Sequence, residues 1–160
     1  EPPRPDVSQA PPGEENKEYL FRVALKWRPS TWRAIAVTGD QTLAELHLGI
    51  QDAFDWDNDH LYMFSLSNRL GDTSSAYYDP RGEGWDAYAD QAAIGALGLR
   101  KNKPFCYLFD FGDMLEHEVR LVDVRDANPE ASYPRVVETH GNAPPQYPDW
   151  DDDAEDDEEE

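Results

Sequence analysis

The chain has 160 residues and sets 34 acids against 14 bases, a formal net charge of −20; a surface of that sign repels nucleic-acid phosphate, so direct DNA or RNA binding is disfavoured. Its one cysteine, Cys106, excludes an intrachain disulfide and suits a reducing cytoplasm. No run approaches the ~20 apolar residues of a membrane span, while five Trp, eight Tyr and six Phe supply the bulk for one domain with a sizeable core.

Residues 1–16 hold five prolines and little apolar material, which predicts a disordered or extended segment. The chain begins at Glu1 rather than Met, so the native start is expected upstream. Tyr19, Phe21, Val23, Leu25 and Trp27 then alternate with a face carrying Arg22 and Lys26. That period of two predicts a strand over 19–27 with one face on a core. Pro29 ends the ladder, and 32–37 returns as a second strand. Arg33 on that strand is either a ligand-reading cation or, more simply, an arginine laid along an aromatic ring or paired with a carboxylate.

Thr42-Leu43-Ala44-Glu45 has the form of a capping box. Leu43, Leu46, His47, Ile50, Ala53 and Phe54 follow at helical spacing on one face, long enough to cover a sheet. His47 on that face reads as a satisfied core histidine. Gly49 weakens the helix by roughly 1 kcal/mol relative to Ala unless close packing requires it. A third strand over 61–67 completes a β-β-α-β opening, β-grasp-like if that strand joins the first two. Asp55, Asp57 and Asp59 alternate like the start of a calcium loop, but His60 stands where Gly is needed and Leu66 where Glu is needed, so an EF-hand is excluded.

Residues 68–91 carry Pro80, Gly82 and Gly84 among acids and read as long loops. The stretch 92–99 is a short helix or one turn. Arg100, Lys101 and Lys103 form the only basic cluster, at a turn. A hairpin over 105–124 comes next and is expected at the middle of the sheet. Phe105, Tyr107, Phe109 and Phe111 alternate along its first strand, Gly112-Asp113 signals the turn, and Val119, Arg120 and Leu121 alternate on the return. The fold class is therefore α+β, a mostly antiparallel sheet with one long packed helix. The last twelve residues, 149–160, hold ten acids and are predicted to be a solvated, disordered tail.

Aligning the hairpin around a four-residue loop from Gly112 to Leu115 pairs Asp110 with His117. A carboxylate facing an imidazole would raise the histidine pKa and fix its tautomer. With Asp113 at the turn and His60 nearby, Asp110, Asp113, His117 and His60 are candidates for a divalent-metal site of mixed O and N ligands. Asp110, Asp113 and His117 are also candidates for acid/base catalysis. The simpler reading is a polar network that pins the hairpin register. No zinc spacing, phosphate loop or nucleophile elbow is present, and Cys106, among aromatics, reads as an inert buried thiol.

Tyr-Leu-Phe-Asp-Phe-Gly-Asp at 107–113, followed by His117, resembles the Tyr-x-Tyr-Asp-Phe-Gly-Asp-x-x-x-His signature of the plasmid pRiA4b ORF-3-like family. Trp32-Arg33 with Ile35 and Val37 is similar to a second motif. Phe54-Asp55-Trp56 with His60-Leu61-Tyr62-Met63-Phe64 is similar to a third, and Tyr133-Pro134-Arg135-Val136 with 141–145 to a closing one. In many relatives the double proline precedes Glu-Asp; here Gln146-Tyr147 follows it. The resemblance spans 17–148 and implies a small protein of plasmids and transposons, with no established activity. The expectation is a noncatalytic binding or adaptor module with a protein partner, in the cytoplasm, with no required cofactor. The alternatives are a metal-dependent enzyme using Asp110, Asp113 and His117, and an accessory or regulator of DNA recombination or transposition acting through protein contacts.

Overall fold

The structure is a computed structural model and describes residues 4–144. Its strands are β1 (Lys17–Leu25), β2 (Arg28–Thr38), β3 (Tyr62–Ser65), β4 (Ala76–Tyr78), β5 (Phe105–Phe109), β6 (Leu115–Asp126) and β7 (Arg135–His140). They form one sheet in the order β4-β3-β5-β6-β1-β2-β7, and every paired neighbour is antiparallel. One α-helix, α1 (Leu43–Phe54), covers a face of it. The protein is thus α+β, and the β5–β6 hairpin lies at the sheet's centre.

Alternation decides the two faces. Tyr19, Phe21, Val23 and Leu25 of β1 are buried while Arg22 is exposed. Phe105, Tyr107 and Phe109 of β5 join them in the main core, facing Leu43, Leu46, Ile50 and Phe54 of α1. Each such ring or aliphatic side chain stabilises the fold by roughly 1.5–3 kcal/mol when fully buried. On the other side of the sheet Met63, Ala76, Tyr78 and Leu108 form a smaller cluster.

The capping box forms as its spacing predicts: Thr42 Oγ1 accepts the Glu45 amide at 3.3 Å, and Glu45 Oε1 accepts the Thr42 amide at 3.0 Å. At the far end Asp55 takes φ 60° and closes the helix. There the buried Arg33 guanidinium donates to Ala53 O at 3.2 Å and to the carbonyls of Trp32, His140 and Gly141. Its centre lies 4.9 Å from the Phe54 ring, so this cation is a clasp between the helix end and β7. Gly49 has a packing reason as well, since a Cβ there would lie 3.0 Å from Pro134 Cβ and 3.1 Å from Ile35 Cγ2.

Several expectations are corrected. The opening is β-β-α-β in chain order, but β3 pairs with β5 and β4, and β5 and β6 separate it from the first hairpin. Trp27 lies in the turn after β1 and is 46% exposed. The 68–91 stretch, expected as loops, contributes β4, whereas 92–99 holds a 3-10 turn, Ile94–Ala96, in line with the short helix or single turn expected there. The segment before Lys17, expected to be disordered or extended, lies along the domain from Arg4 on. Val7 packs against the main core, its carbonyl accepts the Ala93 amide at 2.7 Å, and Arg4 sits 4.7 Å over the Tyr77 ring. The acidic stretch 149–160, and 145–148 with the last proline of the closing motif, lie outside the described residues. No helix among the described residues is long and apolar enough to cross a membrane.

Candidate functional site

The hairpin register decides what the signature residues can do. Phe109 faces Leu115, Leu108 faces Glu116 and Tyr107 faces His117. His117 is thus three positions from the pairing with Asp110, and an odd shift turns a side chain to the opposite face. The cause is the turn. Gly112 does not take a positive φ; Asp110 at φ 69° and Met114 at φ 55° do, so the strand ends at Phe109 and five residues reverse it. Aspartate visits the left-handed region more readily than most residues because its short side chain bonds locally.

His117 is consequently sealed in the core. It meets Trp27 and Trp56 edge-on at 5.5 and 5.4 Å, with Phe54 at 5.8 Å and Tyr107 at 5.0 Å. Its Nδ1 donates to Leu115 O at 3.0 Å, while its buried Nε2 has no hydrogen-bond partner. Burial drives the pKa down to about 3, against weaker opposing help from the Leu115 and Tyr107 backbone. This imidazole is neutral at physiological pH.

Asp110 shapes the turn. Its Oδ1 accepts the Gly112 and Asp113 amides at 3.0 and 3.2 Å, and its own amide donates to Leu61 O at 2.9 Å. Its Oδ2 lies 3.6 Å from His60 Nε2. The structure therefore brings His60 and Asp110 together at the rim of the hairpin and leaves His117 beneath it. Asp113 is exposed at the turn tip. Among the described residues no three His, Cys, Asp or Glu side chains gather as a metal-ligand set, so His60, Asp110, Asp113 and His117 do not converge, nor do Asp55, Asp57 and Asp59. Cys106 is buried, and burial pushes its thiol up to about 11, which keeps it protonated and unreactive.

The most extensive polar network surrounds His47, whose ring stacks on Tyr62 at 3.6 Å. Its Nε2 lies 2.6 Å from Asn58 Oδ1 and its Nδ1 lies 2.7 Å from the Tyr107 hydroxyl. Arg81 Nη2 also donates to Asn58 Oδ1, at 3.2 Å. A guanidinium can only donate, which confirms the Asn58 atom as oxygen and makes Nε2–H the donor of the histidine. Nδ1 then accepts from Tyr107, whose hydroxyl in turn accepts the Gln51 amide at 3.0 Å. Gln51 Oε1 accepts the Asn58 amide at 2.9 Å. Burial lowers the His47 pKa to about 4 despite the Asn58 bond. The chain of donors and acceptors closes on itself, and His47 is the satisfied core histidine its position predicts.

Arg81 locks this network to the rim. It bonds the buried Asp79 through Nε at 2.8 Å and Nη2 at 2.7 Å, and donates to Asn58 O at 3.0 Å and His60 O at 2.6 Å. The clip lies in the 68–91 stretch, whose composition signals only loops. Asp79-Pro80-Arg81-Gly82 is nevertheless a turn signal, with Asp first and Pro second, and the Gly82 amide does return to Asp79 O at 2.9 Å.

Comparison with known proteins gives concordant results. The chain is 31% identical over 122 residues to the uncharacterized protein y4hQ of Sinorhizobium fredii, covering 74% of this chain and 59% of that protein's length. The fold is similar to that of a protein of unknown function, MM3350, from Methanosarcina mazei, with a TM-score of 0.69 at 27% identity, covering 81% of this chain and 73% of that one. Residues 17–148 match the model of the plasmid pRiA4b ORF-3-like proteins, and with these strands, this hairpin signature and these relatives the chain belongs to that family.

Proposed function

We propose that this protein acts by binding a protein partner and carries out no chemistry of its own. The observation that supports this best is the placement of His117. The one histidine of the hairpin signature is packed among four aromatic rings and turned from Asp110, where it can neither exchange protons with a substrate nor reach a metal held at the turn. His47 is likewise consumed by an internal network. A protein at −20 favours a partner with a basic face, through steering and complementarity. The word plasmid in the family description accords with a mobile-element setting, so an accessory or regulatory role in recombination through protein contacts falls under the same reading, as does a cytoplasmic location.

The competing reading is a metal-dependent enzyme using Asp110, Asp113 and His117, with His60 as a further candidate ligand. Thermal unfolding of the full chain with and without Zn²⁺ or Mn²⁺ separates the two. No metal-dependent rise in Tm is expected. A rise that disappears in Asp110→Asn would show that the rim holds a metal and would overturn the noncatalytic reading.

A further inference from the structure

One concave spot on this acidic protein is basic. A cavity of about 330 Å³ opens beside the start of β5, at the opposite end of that strand from Asp110. Leu66, Leu97, Leu99 and Phe105 line it, and Arg100 and Lys103 flank it. The three leucines are half-buried and rest on the main core, to which the buried Phe105 belongs. The lining is therefore anchored rather than a chance gathering of surface side chains.

The two cations are exposed, and among the described residues neither side chain makes an ion pair or a hydrogen bond. Their neighbours are all engaged. Lys101 pairs with Asp123 at 3.3 Å and Arg120 with Glu118 at 3.1 Å. Among the described residues, this cluster leaves free only the pair beside the cavity. Their backbone is also held in place. Asn102, at φ 67°, donates its amide to Leu121 O at 2.8 Å and accepts Arg120 Nη1 at 2.6 Å, and the Lys103 amide returns to Arg100 O at 3.3 Å. A loop fixed before binding loses little entropy on binding.

An anion answers the charge and an apolar body answers the lining. Arg100 and Lys103 stand beside a cavity walled in part by three half-buried leucines and Phe105, and an arginine fork matches a carboxylate with two parallel bonds. The volume sits at the lower end of the range of small-molecule sites, roughly 300–1,000 Å³, and a nucleic-acid strand would meet the surrounding negative field. We propose that this cavity binds a small carboxylate with an apolar body, of the size of a medium-chain fatty acid or an arylacetate, with Arg100 and Lys103 on the carboxylate and the leucines and Phe105 on the body. The proposal does not depend on whether the protein has a macromolecular partner.

The test is titration of the full chain with octanoate and, separately, indole-3-acetate, followed by the amide resonances of residues 97–105 and by calorimetry. Octanol and octylammonium supply the same body with no charge and with the wrong charge. At least one carboxylate should shift those resonances, octylammonium should not, and the double variant Arg100→Gln/Lys103→Gln should bind it about tenfold or more weakly. Octanoate and indole-3-acetate distinguish the aliphatic from the aryl class. Denaturant midpoints establish that the variant, changed only at exposed positions, remains folded. Failure of both acids to bind, equal binding of octanol, shifts confined to another surface, or undiminished binding by the folded double variant would each overturn the proposal.

Discussion

His117 and His47 are neutral imidazoles held in a core, and their burial makes a statement about acid. In the unfolded chain each titrates near 6.5; in the fold His117 is lowered to about 3 and His47 to about 4, in both cases chiefly by burial. Below 6.5 the unfolded state therefore takes up protons that the folded state refuses. The stability these residues contribute is present above 6.5 and falls as pH drops, for His47 until about 4 and for His117 until about 3. Each histidine lowers stability by about 1.4 kcal/mol per pH unit within its window. In His117→Phe a ring remains among Trp27, Phe54, Trp56 and Tyr107 but the titrating group is gone. Whatever its stability at pH 7, this variant should lose stability less steeply than wild type between pH 6.5 and 4, by about 1.4 kcal/mol per unit. Denaturant midpoints at four or five pH values measure the slope. Identical slopes in the two proteins would mean that His117 is open to solvent and protonates in the fold.

Among the elements, the central hairpin carries the most information, and its turn is the part the sequence concealed. The aromatic alternation of β5 and the capping box of α1 were both legible, because each is a period or a spacing that local geometry imposes. The register was not legible, because it hinges on which residue takes the left-handed conformation. Gly112 is the obvious choice, yet Asp110 takes it and its own carboxylate closes the turn on Gly112 and Asp113. β7 escaped for a different reason. It is an edge strand with a register shift against β2 between Ala34 and Ile35, and it is exposed or half-buried along its length, so no period of two survives. β4 is only three residues long, too short for a pattern. The Asp79–Arg81 clip joins segments about twenty residues apart, a pairing no local pattern encodes. The turn chemistry is testable. Asp110→Ala removes an acceptor of two amides and puts alanine in the left-handed region, a combined cost of roughly 2–4 kcal/mol. Asp110→Asn keeps an acceptor and tolerates that conformation, so it should cost less than ~1 kcal/mol. Neither should move the His117 titration followed by imidazole NMR, because the two side chains lie in different layers. A His117 pKa that shifts in Asp110→Asn would restore the register that pairs them.

For the molecule as a whole, what matters is where the cations are as well as how few there are. Arg33 is buried among carbonyls. Arg22 lies over the Trp32 ring at 4.0 Å. Lys26 pairs with Glu116, Arg120 with Glu118, Arg125 with Glu18 and Lys101 with Asp123. These cations are thus placed singly and answered locally, which leaves Arg100 and Lys103 as a lone unanswered pair among the described residues, whereas nucleic-acid binding needs a stripe of bases that releases counterions from several phosphates at once. Residues 149–160 supply ten of the acids, so deleting them changes the formal charge from −20 to −10. If the tail alone kept the protein from DNA, that deletion would unmask binding. The placement of the cations argues otherwise, because Arg100 and Lys103 are too few to hold a duplex at physiological salt. Neither the full chain nor the chain ending at residue 148 should retard a generic duplex in a gel-shift assay at 150 mM salt, and lowering the salt should produce at most weak retardation of the shorter one. Tight retardation of the shorter chain that weakens steeply with salt would show that the acidic end masks a nucleic-acid surface. The surface would then be sought around Arg100 and Lys103, where Arg100→Gln/Lys103→Gln should abolish it.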